Sequence, residues 1–487
     1  MFSNSTIGSI IKFTKKYIVY FLLMSLFLSQ LNFIYSDPDL NISYSRGPWS
    51  DEGLNTCQIR NFIHSNDLTL SKSDNFVKTP MFGSILYLPY KLFGTSQSIG
   101  RLTILILCVL SMLFISKINN YFKKLITLVI PFVLFQYHIF HFTHFSMAEI
   151  LSTISIFIGL IFLYRSMGSK KENKSNTLLA CLFLSISYFL KIQFLYIIFL
   201  FPTFLILLLI LSKFIDISFD FSLKKLIKNH IYYIILFGLI YLTCWYIPNK
   251  ELLDYVMTNQ TTGRFIEFQE LNIKGVILDF LITFYNKTLY VNELKVFFFT
   301  FCLAIIIGTT FLFNKSSKKN FKILFLLALA WFIIETHKFS MLYLPNRYLI
   351  SFYFSMGLII CLTALECFHL FKAQQKNIAF FVLPYSISLI FLLLFNGLFY
   401  TKALNRRTYQ ISKISSQLKN YDFKDRPIIG AWAPAISWET TAKSYPIWNN
   451  YFNYTEIIKN YSPKIIVLEP NETTIYNTFK YFSRPPE

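Results

Sequence analysis

Trp49-Ser50-Asp51-Glu52-Gly53 follows the first hydrophobic run of the chain, YIVYFLLMSLFLSQLNFIY at 17–35, and places two adjacent carboxylates just beyond it. A run of that length and composition crosses a bilayer, which takes ~20 apolar residues in a helix. Ionised side chains directly after it therefore stand in water at a membrane surface. Further on, Lys78-Thr79-Pro80-Met81 opens an amphipathic stretch, 82–94, that returns a basic residue to the same surface. An acid and a base then face each other across one external loop.

The remaining sequence repeats the first run. Of 487 residues, 54% are hydrophobic and 19% aromatic, with polar residues confined to short segments between apolar ones. A soluble chain of this length would divide into domains with polar surfaces. The pattern instead predicts an all-α polytopic membrane protein with spans at 17–35, 102–118, 125–139, 147–164, 177–190, 192–211, 231–248, 296–313, 323–334, 348–364 and 378–399, about eleven helices. The first is too long for a signal-peptide core and lacks a small-residue cleavage site before Asp37, so it reads as a retained anchor.

Short cytoplasmic loops retain Lys and Arg. Basic clusters at 12–16, 117–124, 165–174, 213–228, 315–322 and 372–376 fall in every second loop, which predicts a multi-pass protein with its N-terminus cytoplasmic and its C-terminus extracytoplasmic. The net charge of +21 reflects this pattern and contact with anionic lipid, and implies no nucleic acid. Seven cysteines, only Cys57 of them clearly outside, give neither a disulfide framework nor zinc spacing. Four segments face outward: 36–100, a turn around 141–146, 249–295 and the tail from 401. Apparent strands at 427–433 and 464–468, with a helical stretch around 456–460, predict a small C-terminal α/β domain over 401–487 beside a transmembrane domain over 1–400.

The order of a first span, a loop with Asp51-Glu52, the Lys78-Thr79-Pro80 element leading into Leu88-Pro89-Tyr90-Lys91-Leu92-Phe93-Gly94, and Arg101-Leu102 opening a span resembles the membrane glycosyltransferases of the GT-C fold. Within that group the chain is most similar to the protein O-mannosyltransferases and the lipid A aminoarabinose transferases. The resemblance extends through Met147-Ala148-Glu149 and Leu344-Pro345-Asn346-Arg347-Tyr348. It implies transfer of a sugar from a polyprenyl-phosphate donor to a lipid, glycan or protein acceptor on the extracytoplasmic face of a bacterial inner membrane. The donor already carries its leaving group, so the chemistry asks for a base on the acceptor hydroxyl and cations on the departing phosphate.

The resemblance places the family's first-loop aspartate at Asp51, the candidate base for an inverting displacement, with Glu52 in reserve; the alternative is two acidic residues opening an external helix. Lys78 and Arg347 are the candidate donor-phosphate ligands, against a reading as snorkelling interfacial cations. Glu149, at the outer end of a span, is costly there unless it faces water or a partner, and stands where relatives carry a second acidic residue. His138, His141 and His144 recur every third residue and on one helix would approach a common divalent metal, although no cofactor is required and an interfacial cluster is the alternative. Trp49, beside the acidic pair, is the candidate platform for a sugar face, whereas Trp432, Trp438 and Trp448 read as packing or interfacial residues.

The tail has no W-W-D-Y-G motif, which argues against an oligosaccharyl transferase, and Lys-Thr-Pro departs from the double-proline form frequent in relatives. A transporter or flippase of lipid-linked saccharide would show repeated halves and mid-membrane polar groups. Here the candidate charges collect at one interface. An O-antigen polymerase or ligase would place its long loop late among the spans, and the longest inter-span loop here comes first.

Overall fold

Long apolar helices running between two ends of a bundle form most of the computed structural model, which describes residues 4–39, 47–66, 68, 75–167, 174–211, 223–261, 273–341, 344–373, 379–447 and 461–468. Helix α1 (Asn4–Leu31) is followed by three shorter helices, α2 (Gly47–Ser65), α3 (Asn75–Lys78) and α4 (Pro80–Phe93), and then by α5 (Gln97–Ile118). Next come α6 (Asn120–Val129), α7 (Tyr137–Phe142), α8 (Ala148–Met167), α9 (Lys174–Leu190) and α10 (Leu200–Leu211), the last entered through a tight 3-10 stretch at Ile192–Phe199. The series continues with α11 (Leu223–Tyr241), α12 (Lys250–Thr261), α13 (Ile273–Thr288), α14 (Asn292–Phe313), α15 (Lys319–Glu335), α16 (Ile350–Lys372) and α17 (Ala379–Asn405).

Among the described residues eight helical stretches are long and apolar enough to cross a membrane, and Tyr17–Leu31 and Lys174–Leu190 are shorter apolar ones. The predicted span 125–139 is not one continuous helix. Pro131 lacks an N–H, so the chain widens into a π-turn at Ile130–Leu134, and Gln136 is extended before α7 begins. Helices α8 and α16 form the centre, each buried along nearly its whole length, and α8 lies directly against α9. Gly159 makes that approach possible: a Cβ there would stand 2.9 Å from the Leu184 side chain.

The C-terminal ends of α1 and α17 meet. Asn32 donates to the Tyr400 hydroxyl (3.1 Å), Arg407 to the Asn32 carbonyl (2.8 Å), and the Asp37 amide to the Thr408 carbonyl (2.8 Å). The connection carrying α2–α4 and the chain after α17 thus share one end of the bundle. At the other end the Lys318 amide donates to Glu366 near the last turn of α16 (2.9 Å).

Beyond α17 lie α18 (Gln410–Lys419), β1 (Ile428–Ile429), α19 (Ala433–Ile436), β2 (Ser444–Tyr445) and β3 (Ile465–Ile466). The strands are parallel in the order β2-β1-β3. The predicted strands contain β1 and β3, β2 joins them on the other side of β1, and the expected helical stretch at 456–460 lies outside the described residues. Helix α19 packs on α2.

Candidate functional site

Each charged residue of the cluster stands where an element starts, stops or breaks. Asp51 lies just past the first turn of α2, and Glu149 lies in the first turn of α8, where the helix dipole favours a carboxylate. Lys78 ends α3, because Thr79 precedes Pro80 and is pushed out of helical backbone (φ −134°, ψ 54°). Lys191, extended (φ −158°), is the break between α9 and the 3-10 stretch. Arg347 lies in the 3-10 turn Asn346–Leu349 that leads into α16.

The fold brings these ends together. Arg347 Nη1 lies 2.6 Å from Asp51 Oδ2, and its Nε lies 3.6 Å from Glu149 Oε1. Lys191 Nζ donates to the same Glu149 oxygen at 2.5 Å. The Tyr348 ring lies beneath both cations, 5.1 Å from Lys191 Nζ and 4.9 Å from the Arg347 guanidinium. Burial pushes the Asp51 carboxyl above its ordinary value, Arg347 opposes that, Glu149 adds to it, and the charges of Lys191 and Lys78 oppose it. Glu149 is wholly buried, and its Oε2 has no hydrogen-bond partner among the described residues. Three cations thus surround two carboxylates, an arrangement with capacity for a further anion.

Behind the cluster, Lys338 donates to Glu335 Oε2 (2.5 Å), the Tyr348 carbonyl (2.8 Å) and Ser351 Oγ (2.8 Å). Tyr196 and Trp331 donate to the other Glu335 oxygen (2.5 and 3.0 Å). This buried network holds the turn that carries Arg347.

Asp51, Glu149, Lys78 and Arg347 therefore share one locality, and Lys191 and Lys338 join them. The sequence signal of Lys191 is a lone cation between two apolar runs. Glu52 points elsewhere. Its oxygens accept from Arg101 Nε (2.9 Å), Arg101 Nη2, Gln97 (3.3 Å) and the Ser146 amide (2.8 Å), while Arg101 Nη1 donates to the carbonyls of Phe33, Ile34 and Ser36. Glu52 and Arg101 thereby bracket the exit of α1 against α5, which leaves the reserve base without a place in the cluster.

The three histidines diverge. A common metal for the three rings requires one helix through position 144, and α7 ends at Phe142. His138 faces the Tyr353 ring (5.7 Å), His141 faces Tyr137 (4.9 Å), and His144 packs on Phe145 (4.6 Å) and bonds Gln30. Burial lowers His141 to about 4 and His144 well below its ordinary value. Among the described residues no three His, Cys, Asp or Glu side chains gather as a metal-binding group. Trp49 lies on α2, its side chain outside the described residues. Trp438 is buried, Trp432 packs half-buried against the small sheet, and Trp448 lies outside the described residues.

No protein-family model matches the chain, and no curated protein does. Solved structures do match. The structure of ArnT from Cupriavidus metallidurans bound to undecaprenyl phosphate is 11% identical, with a TM-score of 0.59 over 89% of this chain and 85% of that one. The same protein in the apo state is 13% identical, with a TM-score of 0.59 over 90% and 86%. The archaeal oligosaccharyltransferase AglB from Archaeoglobus fulgidus, in complex with an inhibitory peptide and a dolichol-phosphate, is 13% identical, with a TM-score of 0.54 over 88% and 64%. At these identities the likeness is one of architecture, and on it the chain carries the GT-C fold.

Proposed function

We propose that this chain is an integral membrane glycosyltransferase that moves a sugar from a polyprenyl-phosphate donor to an acceptor hydroxyl at the extracytoplasmic face. The observation that carries the reading is the ion-paired cluster of Asp51, Arg347, Glu149 and Lys191, with Lys78 close enough to act on Asp51, at the end of a GT-C bundle. That structures sharing the fold are named with undecaprenyl phosphate and dolichol-phosphate supports a lipid-linked donor.

The acceptor oxygen attacks the anomeric carbon on the face opposite the phosphate. The bond from that carbon to the phosphate oxygen breaks, its electron pair leaves with the phosphate, and the hydroxyl proton passes to Asp51. Configuration inverts. Arg347 keeps Asp51 ionised against burial, and Lys78, Lys191 and Arg347 supply the positive field in which the phosphate departs. Glu149 holds Lys191 and Arg347 in place.

The test is transfer of radiolabelled sugar from synthetic polyprenyl-phosphate donors to membrane acceptors by purified wild type and Asp51→Asn at equal folded amount. Loss of roughly 100- to 10,000-fold in transfer, with donor binding intact, is expected for removal of a general base. Unchanged transfer by the variant removes Asp51 from that role. No transfer by wild type from any donor overturns the proposed activity.

A further inference from the structure

Arg60 lies further along α2 from Asp51, is almost wholly buried, and places its hydrogen bonds on main-chain carbonyls. Nη1 donates to Ser437 (3.0 Å), and Nη2 donates to Pro434 (2.6 Å) and Gly53 (3.3 Å). Its guanidinium lies 4.3 Å over the Trp438 ring. The next residue, Asn61, exchanges two hydrogen bonds with Ser444: its Nδ2 donates to the carbonyl and its Oδ1 accepts from the amide, both at 3.0 Å. Gly53, two residues from Asp51, meets the same segment so closely that a Cβ would stand 2.5 Å from Ala435 N and Pro434 C. Trp438 in turn belongs to the buried core of the bundle.

These contacts fix α2 in rotation and in height. A fork of fixed geometry whose two terminal nitrogens donate to carbonyls of a distant segment holds position, because those carbonyls cannot move without stripping partners from a buried charge. The Glu52–Arg101 bracket anchors α2 toward α5, and the 434–444 segment anchors it from the tail.

We propose that the 434–444 segment of the tail, clasped by Arg60, Asn61 and Gly53, is a positioning element that sets where α2 presents Asp51 to Arg347. The proposal rests on the reading of Asp51 as the base. Arg60 acts through α2, as a positioning residue, and the tail is a working part of the site.

The experiment uses the full chain in nanodiscs and compares Arg60→Ala and Arg60→Lys with wild type, each checked by thermal unfolding. Two readouts are taken: kcat and donor KM across pH, and the rate at which a carbodiimide captures Asp51, followed by peptide mass spectrometry without turnover. Arg60→Ala is expected to lower kcat by up to about 100-fold, the scale of a ~1 Å misplacement, with donor KM unchanged. The acid limb of its pH profile shifts, Asp51 is captured faster, and Arg60→Lys recovers part of each. A folded Arg60→Ala with unchanged kcat, pH limb and capture rate overturns the proposal. Where Arg60→Ala does not fold, Gly53→Ala and Trp438→Phe carry the same comparison. Faster capture of Asp51 in Arg60→Ala alongside full transfer by Asp51→Asn leaves the clasp standing and fells the base assignment. The reverse pattern keeps the base and removes the clasp.

Discussion

Successive residues of an α-helix point ~100° apart, so Asp51 and Glu52 leave the same stretch of α2 toward different partners, Arg347 for one and Arg101 for the other. Adjacency in sequence hides this, which is why Glu52 read as a substitute for Asp51. The environments predict opposite behaviour. Because burial raises the Asp51 carboxyl and only its ionised form accepts a proton, kcat should fall, as pH drops, at a higher pH than the ~3.9 of a free aspartate. Arg347→Gln removes a charge that favours the carboxylate, so the limb moves to higher pH. Glu149→Gln removes one that disfavours it, so the limb moves to lower pH. Profiles of kcat for the two variants check both signs, and a common direction would refute the cluster's electrostatics. Glu52→Gln instead weakens a buried ion pair, at a cost of up to about 3–5 kcal/mol, read as a lowered unfolding temperature in detergent. The usual rescue, the apolar pair Glu52→Leu with Arg101→Met, should fail here, because the carbonyls of Phe33, Ile34 and Ser36 lose their donor.

The spans were legible because an apolar run of membrane length has few other uses, and ten of the eleven expected lie on apolar helices. What was not legible is where helices break. Pro131 sits inside an apolar run that composition reads as continuous, and only the loss of its N–H turns that run into a π-turn and a separate α7. The site shows the same blindness. Lys191 and Lys338 look like snorkelling cations until the breaks beside them are seen to face Glu149 and Glu335. Asp51, Glu149, Lys78 and Arg347 were found through their order along the chain, which the resemblance interpreted. Because the cluster depends on helix ends meeting, it is sensitive to how helices pack far from it. Gly159 lets α8, which carries Glu149, lie against α9, which ends beside Lys191. Gly159→Leu should destabilise the fold by about 1–3 kcal/mol and lower transfer beyond the loss of folded protein. Thermal unfolding and assay at equal folded amount separate the two; transfer falling only in step with folded amount would show that the α8–α9 approach does not tune the site.

At the scale of the whole molecule the two ends of the bundle differ in kind. One gathers α2–α4, the paired carboxylates and the chain beyond α17; the other holds the turn between α14 and α15, with Lys315, Lys318 and Lys319. Because α1 and α17 end together, the N-terminal end of α1 and the tail are at opposite ends of the bundle. Cytoplasmic loops keep their lysines because moving them across is costly, so the lysine-rich end should face the cytoplasm and the carboxylate cluster the outside. Exposed Asn420, in the tail, and exposed Ser316, in the basic turn, report the two ends. In a background lacking the native cysteines, Asn420→Cys should react with a membrane-impermeant maleimide in intact cells. Ser316→Cys should react only after lysis. The opposite pattern would place the cluster on the cytoplasmic side, where a donor would have to present its sugar from the inner leaflet, and would overturn the outward-facing transferase while leaving the geometry of the cluster untouched.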